Sequence, residues 1–198
     1  MIGDRDEGIV LRHLDKRVSL LSRGSGRIDV LRFSSHGPSI LSCGALISYS
    51  WKQGNRGWKI LQNDSLEYLP LVLARHDIYF LHYLLELCYF FIPVGSGGHT
   101  IFLLLKQVYQ NFQAFEQLKD KKIVICKFLA HLGVCPEDPT IQSYTQIFLE
   151  VPIDNIGITN LELVLEDVLD EWLAWCIYSH PHGKWFKAMP SLIKSENP

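Results

Sequence analysis

The chain has 198 residues, of which 47% are hydrophobic and 20% charged, an ordinary globular composition that excludes a disordered or low-complexity protein. The net charge of −2 hides an asymmetry: residues 1–60 carry ten Lys/Arg and five Asp/Glu, a balance of +5, whereas residues 61–198 carry nine and sixteen, a balance of −7. A basic half joined to an acidic half predicts that the first half meets a polyanion.

Residues 7–66 are predicted to form short β-strands separated by turns. The strand segments read EGIVLRH, KRVSLLSR, RIDVLRF, SILSCGALISYSW and WKILQNDSLEY, and the fourth is expected to bend at Gly44. Turns are predicted at residues 14–15, 24–26, 36–38 and 53–57. This pattern favours a small closed barrel, since closure removes exposed strand edges.

From Pro70 onward the pattern changes to helical. Helices are predicted over residues 76–92, 99–115, 121–133 and 159–178. The third should end at Gly133, and the last opens with Thr159 and Glu162 in the arrangement of a capping box. Residues 140–157 are ambiguous, because QIFLEVPI is open to an extended interpretation. The predicted fold is α+β, with a barrel over residues 1–69 and a helical domain over residues 70–198.

The cysteine pattern indicates free thiols. Cys43, Cys88, Cys126, Cys135 and Cys176 are odd in number, form no CxxC pair and mostly lie in apolar surroundings, which is typical of buried thiols in a reducing compartment. The charged N-terminus MIGDRDEG lacks the apolar core of a signal peptide, and the apolar stretch over residues 78–94 is short for a membrane span. We therefore expect a cytoplasmic protein.

Motifs for catalysis are absent or weak. GSGGHT at residues 95–100 lacks the lysine of a P-loop and follows a predicted helix, so a simple interhelical loop is expected. No GxSxG elbow is present. The acidic run on the last predicted helix is interpreted as a solvated face, in preference to a carboxylate metal site. We expect neither catalytic residues nor a cofactor.

Cysteine and histidine residues between positions 126 and 182 raise the question of a zinc site. The residues concerned are Cys126, His131, Cys135, Cys176, His180 and His182. Their spacings match no standard zinc module. Buried thiols and surface histidines are therefore the preferred interpretation, and no metal ligand is assigned.

Five stretches occur in a fixed order over roughly residues 7–136: EGIVLRH, VSLLSRGSGRIDVLRF, IYFLHYLLELCYFFIP, TIFLLLKQVYQNF and FLAHLGVCPE. Their combination and order resemble the RecO family of DNA repair proteins. The resemblance implies an oligonucleotide-binding (OB) barrel followed by a helical domain. It also implies a recombination mediator that binds single- and double-stranded DNA and anneals complementary strands. Its implied partners are RecR, RecA and the acidic tail of the single-stranded-DNA-binding protein, and no cofactor is involved.

Two features depart from that family. The position of its basic loop after the third strand holds SSHGPS, without lysine or arginine, and the chain has no CxxC pair for the four-cysteine zinc site of many members. The missing basic loop supports a second hypothesis, a protein–protein adaptor whose barrel has lost strong DNA binding. A hydrolase or nuclease is a third class of function, but the sequence shows no recognisable catalytic cluster for it.

A barrel that binds single strands needs cations along a groove and rings on which bases stack. The candidate DNA-binding residues are Arg12, Lys16, Arg17, Arg23, Arg27, Arg32, Lys52, Arg56, Lys59 and Trp51, with Phe33, Tyr49 and Trp58 as further available rings. Contacts of this kind bind phosphates by counterion release and carry little sequence information. The competing interpretation is that the charges are solvated and the rings pack the barrel core.

A second cluster joins phenylalanines to the densest basic run of the acidic half. Its members are Phe112, Phe115, Lys119, Lys121, Lys122, Lys127 and Phe128. An acidic peptide that ends in an aromatic residue would suit such a site, because the ring fills a pocket while lysines at the rim meet the carboxylates. The competing interpretation is a helix end with solvated charges and buried phenylalanines.

Overall fold

The structure is a computed structural model that describes residues 5–33, 41–156 and 166–193. It confirms an α+β chain in which a closed five-stranded β-barrel is followed by helices. The strands are β1 (Asp6–Leu14), β2 (Arg17–Ser22), β3 (Gly26–Leu31), β4 (Leu46–Gln53) and β5 (Lys59–Tyr68).

The strands close in the order β1-β2-β3-β5-β4. β1 pairs antiparallel with both β2 and β4, β2 pairs antiparallel with β3, and β4 pairs antiparallel with β5. The ring is completed by a short parallel pairing of β3 with β5, in which Val30 faces Lys59 and Leu31 faces Ile60.

The alternation of side chains along β2 and β3 places the barrel core. Val18, Leu20, Ile28 and Val30 point inward and belong to the core cluster of the barrel. The residues between them, such as the cross-strand pair Ser19 and Asp29, therefore lie on the outer face of the same two strands. Polar side chains on that face are free to build a site without disturbing the core.

The fourth strand is shorter than predicted. β4 begins at Leu46, and the described residues 41–45 before it are not strand. Gly44 has a φ of 86°, which is left-handed and incompatible with an extended strand. Its N–H still donates to the carbonyl of Val10 at 2.7 Å, so this segment remains tied to β1.

Glycines allow the loop over residues 92–98 to touch the barrel. Gly26, at the start of β3, has a φ of 68°. A β-carbon on Gly26 would lie 1.5 Å from the carbonyl oxygen of Ser96. Val94 forms a parallel bridge with Arg27, and the N–H of Gly95 donates to the carbonyl of Arg27 at 2.8 Å. The GSGG sequence is therefore an interhelical loop, as predicted, and its small size permits this close approach.

The helices are α1 (Leu71–His76), α2 (Ile78–Phe91), α3 (His99–Asn111), α4 (Leu118–His131), α5 (Pro139–Glu150) and α6 (Glu166–Ser179). The ambiguous region is helical through Glu150, because Asp138 accepts the N–H groups of Thr140 and Ile141 and so caps α5. The capping box predicted at Thr159 and Glu162 lies outside the described residues. Within the described ranges, no helix has both the length and the apolar character needed to cross a bilayer.

Residue contacts group the chain into two compact units. The first contains Met1–Leu81 and Leu87–Leu103, and the second contains His82–Glu86 and Leu104–Pro198. In the second unit, every residue of α4 from Lys122 to Ala130 is buried. A helix buried on all sides is central to its unit, with α5 and α6 packed against it. The domain boundary at residues 69 and 70 stays a prediction.

Candidate nucleic-acid interface

A cleft of about 180 Å³ lies on the outer face of the β2–β3 ladder, within the first compact unit. Its lining comes from β1, β2, β3, α2 and the residue that follows the β4–β5 turn. The lining residues are Arg12, Leu14, Arg17, Ser19, Asp29, Val30, Trp58 and Tyr89. We refer to this feature as the β2–β3 cleft.

Two exposed arginines of the β2–β3 cleft are placed beside aromatic rings. The guanidinium carbon of Arg17 lies 5.6 Å from the ring centroid of Trp58, and that of Arg12 lies 5.3 Å from the centroid of Tyr89. Arg12 Nη1 also donates to the hydroxyl of Tyr89 at 3.2 Å. Exposed contacts of this kind contribute about 0.5–1 kcal/mol each, enough to orient a guanidinium while leaving it accessible.

The cleft also contains a carboxylate. Ser19 Oγ donates to Asp29 Oδ1 at 2.7 Å, and Arg27 Nη2 lies 3.8 Å from Asp29 Oδ2. The side chain of Asp29 is 42% exposed. Its carboxylate is therefore oriented by the two strands and still open to the cleft.

Arg27 holds the last turn of α2 against the barrel. Its guanidinium donates to the backbone carbonyls of Tyr89 and Ile92, the latter at 3.3 Å, and its carbon lies 4.1 Å from the ring centroid of Tyr89. A cation is favoured at a helix C-terminus because the carbonyls there lack intrahelical partners. Only 13% of the Arg27 side chain is exposed, and its contacts hold Tyr89 against the barrel.

The remaining predicted DNA-binding residues do not line this cleft. Arg32 is enclosed, and its guanidinium bonds to Asp64 at 3.0 Å. Three further cations each lie beside a ring or an acid: Lys16 near Phe33, Arg23 near Glu7 and Lys59 over Trp51. Lys52 is exposed. The side chain of Arg56 lies outside the described part of the structure.

The predicted peptide-binding cluster is divided between interior and surface. Phe115, Lys122, Lys127 and Phe128 are buried, whereas Phe112, Lys119 and Lys121 are partly exposed. Lys122 is 0% exposed and forms ion pairs with Asp170 and, at 3.1 Å, with Glu166. The two buried lysines therefore do not form a rim, because α4 carries them into the core of the second unit.

Lys127 stabilises the end of α5. Its ammonium group donates to the backbone carbonyls of Phe148, of Leu149 at 3.3 Å and of Val151 at 2.7 Å. Burial lowers the pKa of Lys127 below its ordinary value. Burial, together with the nearby charge of Lys127, also lowers the pKa of His131.

The thiols are free, and three of them are buried. Burial raises the pKa of Cys88 and Cys126 and raises that of Cys176 to about 12, which keeps these thiols protonated at neutral pH and makes them poor nucleophiles or metal ligands. Cys43 is exposed and Cys135 is partly exposed. In the ranges that the structure describes, no group of three or more His, Cys, Asp or Glu side chains is placed to hold a metal ion.

The most informative residues of the cleft are ones that sequence reasoning did not select. Tyr89 belongs to α2, and 77 residues separate it from its partner Arg12, so no local pattern connects them. Ser19 and Asp29 were available from strand alternation, which places both on the outer face of the barrel. Trp58 was recognised as an available ring but was not assigned to the site.

No family model and no curated protein matches the chain. The basis for a function is therefore the geometry of the barrel and its cleft. That geometry defines a candidate binding face, on which the barrel presents guanidinium groups, aromatic rings and one carboxylate.

Proposed function

We propose that the chain is a DNA-binding and strand-annealing recombination mediator of the RecO kind, and that its barrel is an OB fold. The observation that carries this proposal is the position of the β2–β3 cleft. OB folds bind oligonucleotides on the face of strands 2 and 3 and on the loops that join strands 1 to 2 and 4 to 5. The cleft uses the same elements, with Leu14 beside the β1–β2 turn and Trp58 directly after the β4–β5 turn.

The chemistry of the cleft suits a single strand. Single-strand sites combine cations that follow the phosphates with rings on which bases stack. Arg12 and Arg17 are exposed cations, and Trp58 is an aromatic side chain that is 40% exposed. The balance of +5 over residues 1–60 adds a favourable field for a polyanion.

A salt titration tests DNA binding. We expect a fluorescently labelled single-stranded oligonucleotide to bind at low salt and to dissociate as salt rises, with a slope of about 0.7 per phosphate contact in the double-logarithmic plot. Arg17→Ala should lower that slope by about one contact. Lys187→Ala removes another exposed cation, from the acidic half, and serves as the matched control. Absence of binding by the wild-type protein at low salt would refute the proposal.

A ring substitution separates stacking from charge. Trp58→Ala should weaken oligonucleotide binding by about 1–3 kcal/mol without changing the salt slope, because stacking releases no counterions. If Trp58→Ala instead changes only the slope, the ring does not contact bases.

Annealing and partner binding extend the test. Complementary oligonucleotides should anneal faster in the presence of the protein, and Arg17→Ala should reduce that acceleration. For the acidic tail of the single-stranded-DNA-binding protein, the partly exposed lysines of the second cluster are the ones to reverse in charge. Lys119→Glu with Lys121→Glu should weaken peptide binding in a fluorescence-polarisation titration. RecR and RecA remain the further proposed partners.

A protein–protein adaptor is the alternative function. It is favoured by the internal use of Arg27 and Arg32, which removes two cations from the surface, and by the carboxylate of Asp29 in the cleft. The adaptor hypothesis predicts partner binding without salt-dependent oligonucleotide binding. The titration above therefore decides between the two functions.

A further inference from the structure

Asp29 is out of place in a site that binds only phosphates. Among the described residues that line the β2–β3 cleft it is the one acidic side chain, and Arg12 and Arg17 line the same cleft. A carboxylate repels the phosphates that those arginines attract. An ionised carboxylate accepts hydrogen bonds and cannot donate them. A ligand that presents hydrogen-bond donors would therefore explain an acidic side chain at this position.

The carboxylate of Asp29 is held ready to accept such donors. Ser19 Oγ donates a hydrogen bond to Asp29 Oδ1 at 2.7 Å. The register of β2 against β3 places Ser19 and Asp29 opposite each other. Arg27 Nη2 lies 3.8 Å from Oδ2, which is longer than a hydrogen bond. Each carboxylate oxygen accepts about two hydrogen bonds, so both oxygens can accept a further donor.

We propose that the β2–β3 cleft accepts one unstacked base and that Asp29 selects guanine through the N1–H and N2–H groups of its Watson–Crick edge. This inference rests on the proposed DNA-binding function and adds a base preference to it. Guanine presents two adjacent donors on that edge, which match the two carboxylate oxygens. Thymine flanks its single N–H with two carbonyl oxygens, and adenine and cytosine each place an acceptor nitrogen beside their amino group.

The walls of the cleft suit a flat ring. Trp58 offers an aromatic surface, and the guanidinium carbon of Arg17 lies over its ring, 5.6 Å from the centroid. Unstacked bases are commonly held on aromatic side chains and on arginine planes while their Watson–Crick edge is read. The cleft has a volume of about 180 Å³, which leaves room for a single planar group such as one base.

The experiment compares short oligonucleotides that differ at one base. Thymine oligonucleotides of about six nucleotides limit the number of binding registers. The central base is thymine, guanine, hypoxanthine, adenine or cytosine, and dissociation constants are measured by fluorescence anisotropy. We expect the guanine oligonucleotide to bind at least about fivefold tighter than the all-thymine one. Hypoxanthine keeps N1–H and lacks the 2-amino group, so it should fall between them.

Two variants test whether the Asp29 carboxylate is the group that selects guanine. Asp29→Asn preserves the shape and an oxygen that accepts from Ser19, and it should reduce the guanine-to-thymine affinity ratio to about one without weakening thymine binding. Glu67→Gln removes the same charge from an exposed acid of β5 outside the cleft and should leave the ratio unchanged. Circular dichroism melts confirm that both variants are folded.

Salt distinguishes this inference from the function on which it rests. Base contacts release no counterions, so the guanine-to-thymine ratio should stay constant between about 50 and 200 mM salt while both affinities fall. If all five oligonucleotides bind with equal affinity, and Asp29→Asn raises the affinity for each of them, the proposed guanine selection is overturned while the proposed DNA binding still stands. Failure of the wild-type protein to bind any oligonucleotide at low salt would overturn both.

Discussion

Replacing Gly26 with alanine is expected to destabilise the first compact unit strongly. Gly26 has a φ of 68°, a conformation that costs an alanine about 1–2 kcal/mol. The new β-carbon would lie 1.5 Å from the carbonyl oxygen of Ser96 and 3.1 Å from the backbone nitrogen of Gly98. Both are backbone atoms, so a side-chain rotation cannot relieve the overlap and the loop has to move.

The size of the effect follows from what that movement breaks. Displacing the loop strains its packing by about 1–3 kcal/mol and lengthens the 2.8 Å hydrogen bond from Gly95 to Arg27, worth about 1 kcal/mol. With the conformational cost, the free energy of unfolding should fall by about 3–6 kcal/mol, a large part of the 5–15 kcal/mol typical of a domain. Arg27 follows Gly26 in β3, so the same variant should also disturb the contact that positions Tyr89.

Two neighbouring glycines supply graded controls in urea denaturation followed by circular dichroism. Gly95→Ala introduces a left-handed alanine at a φ of 82° with no atom within 4 Å of the new β-carbon, so it should cost only about 1–2 kcal/mol. Gly97→Ala has open space and no left-handed φ, so its effect should stay within about 0.5 kcal/mol. A Gly26→Ala variant that unfolds at the same urea concentration as Gly97→Ala would refute the reasoning.

Two further predictions concern the second compact unit. Lys122→Met leaves Asp170, whose side chain is 16% exposed, without its buried cation and should cost about 3–5 kcal/mol in thermal or urea unfolding. The double variant Lys122→Met with Asp170→Leu should recover most of that loss, and an equally unstable double variant would contradict the ion-pair explanation. His131 has a pKa below its ordinary value of 6.5, so the unfolded chain binds the proton more readily and the free energy of unfolding should fall as the pH drops below 6.5. His131→Gln should flatten that part of the pH–stability curve, and an unchanged curve would show that His131 does not contribute.

The strands were predictable because their signals are local. Short β-branched segments between turn residues placed β1, β2, β3 and β5 within one or two residues of their observed bounds. The failure at β4 has a local cause as well: Gly44, where a bend within the strand was expected, adopts a left-handed conformation, and the strand begins only after it, at Leu46. Helix α4 was also expected, but the burial of its lysines was not, because a basic run on a helix usually faces solvent.

The candidate site was only partly predictable, because the sequence shows which residues are charged but not which of them are buried. Arg12 and Arg17 were selected by charge and composition, and the structure places both in the cleft. Arg27 looked equivalent in the sequence, yet its guanidinium is occupied by the carbonyls at the end of α2. The difference between these arginines depends on a helix that begins 51 residues after Arg27, and no local pattern contains that information.

Strand periodicity, turn residues and charge are properties of local segments, so the α+β class, the barrel of short strands and its excess of positive charge could be predicted from the sequence. The folded chain was needed to show which cations stay exposed, which are bound internally, and which ring and carboxylate lie beside them. The physical reason is that burial and hydrogen-bond partnership are set by segments that meet from distant parts of the chain, as Arg12 meets Tyr89 across 77 residues and Lys122 meets Glu166 across 44.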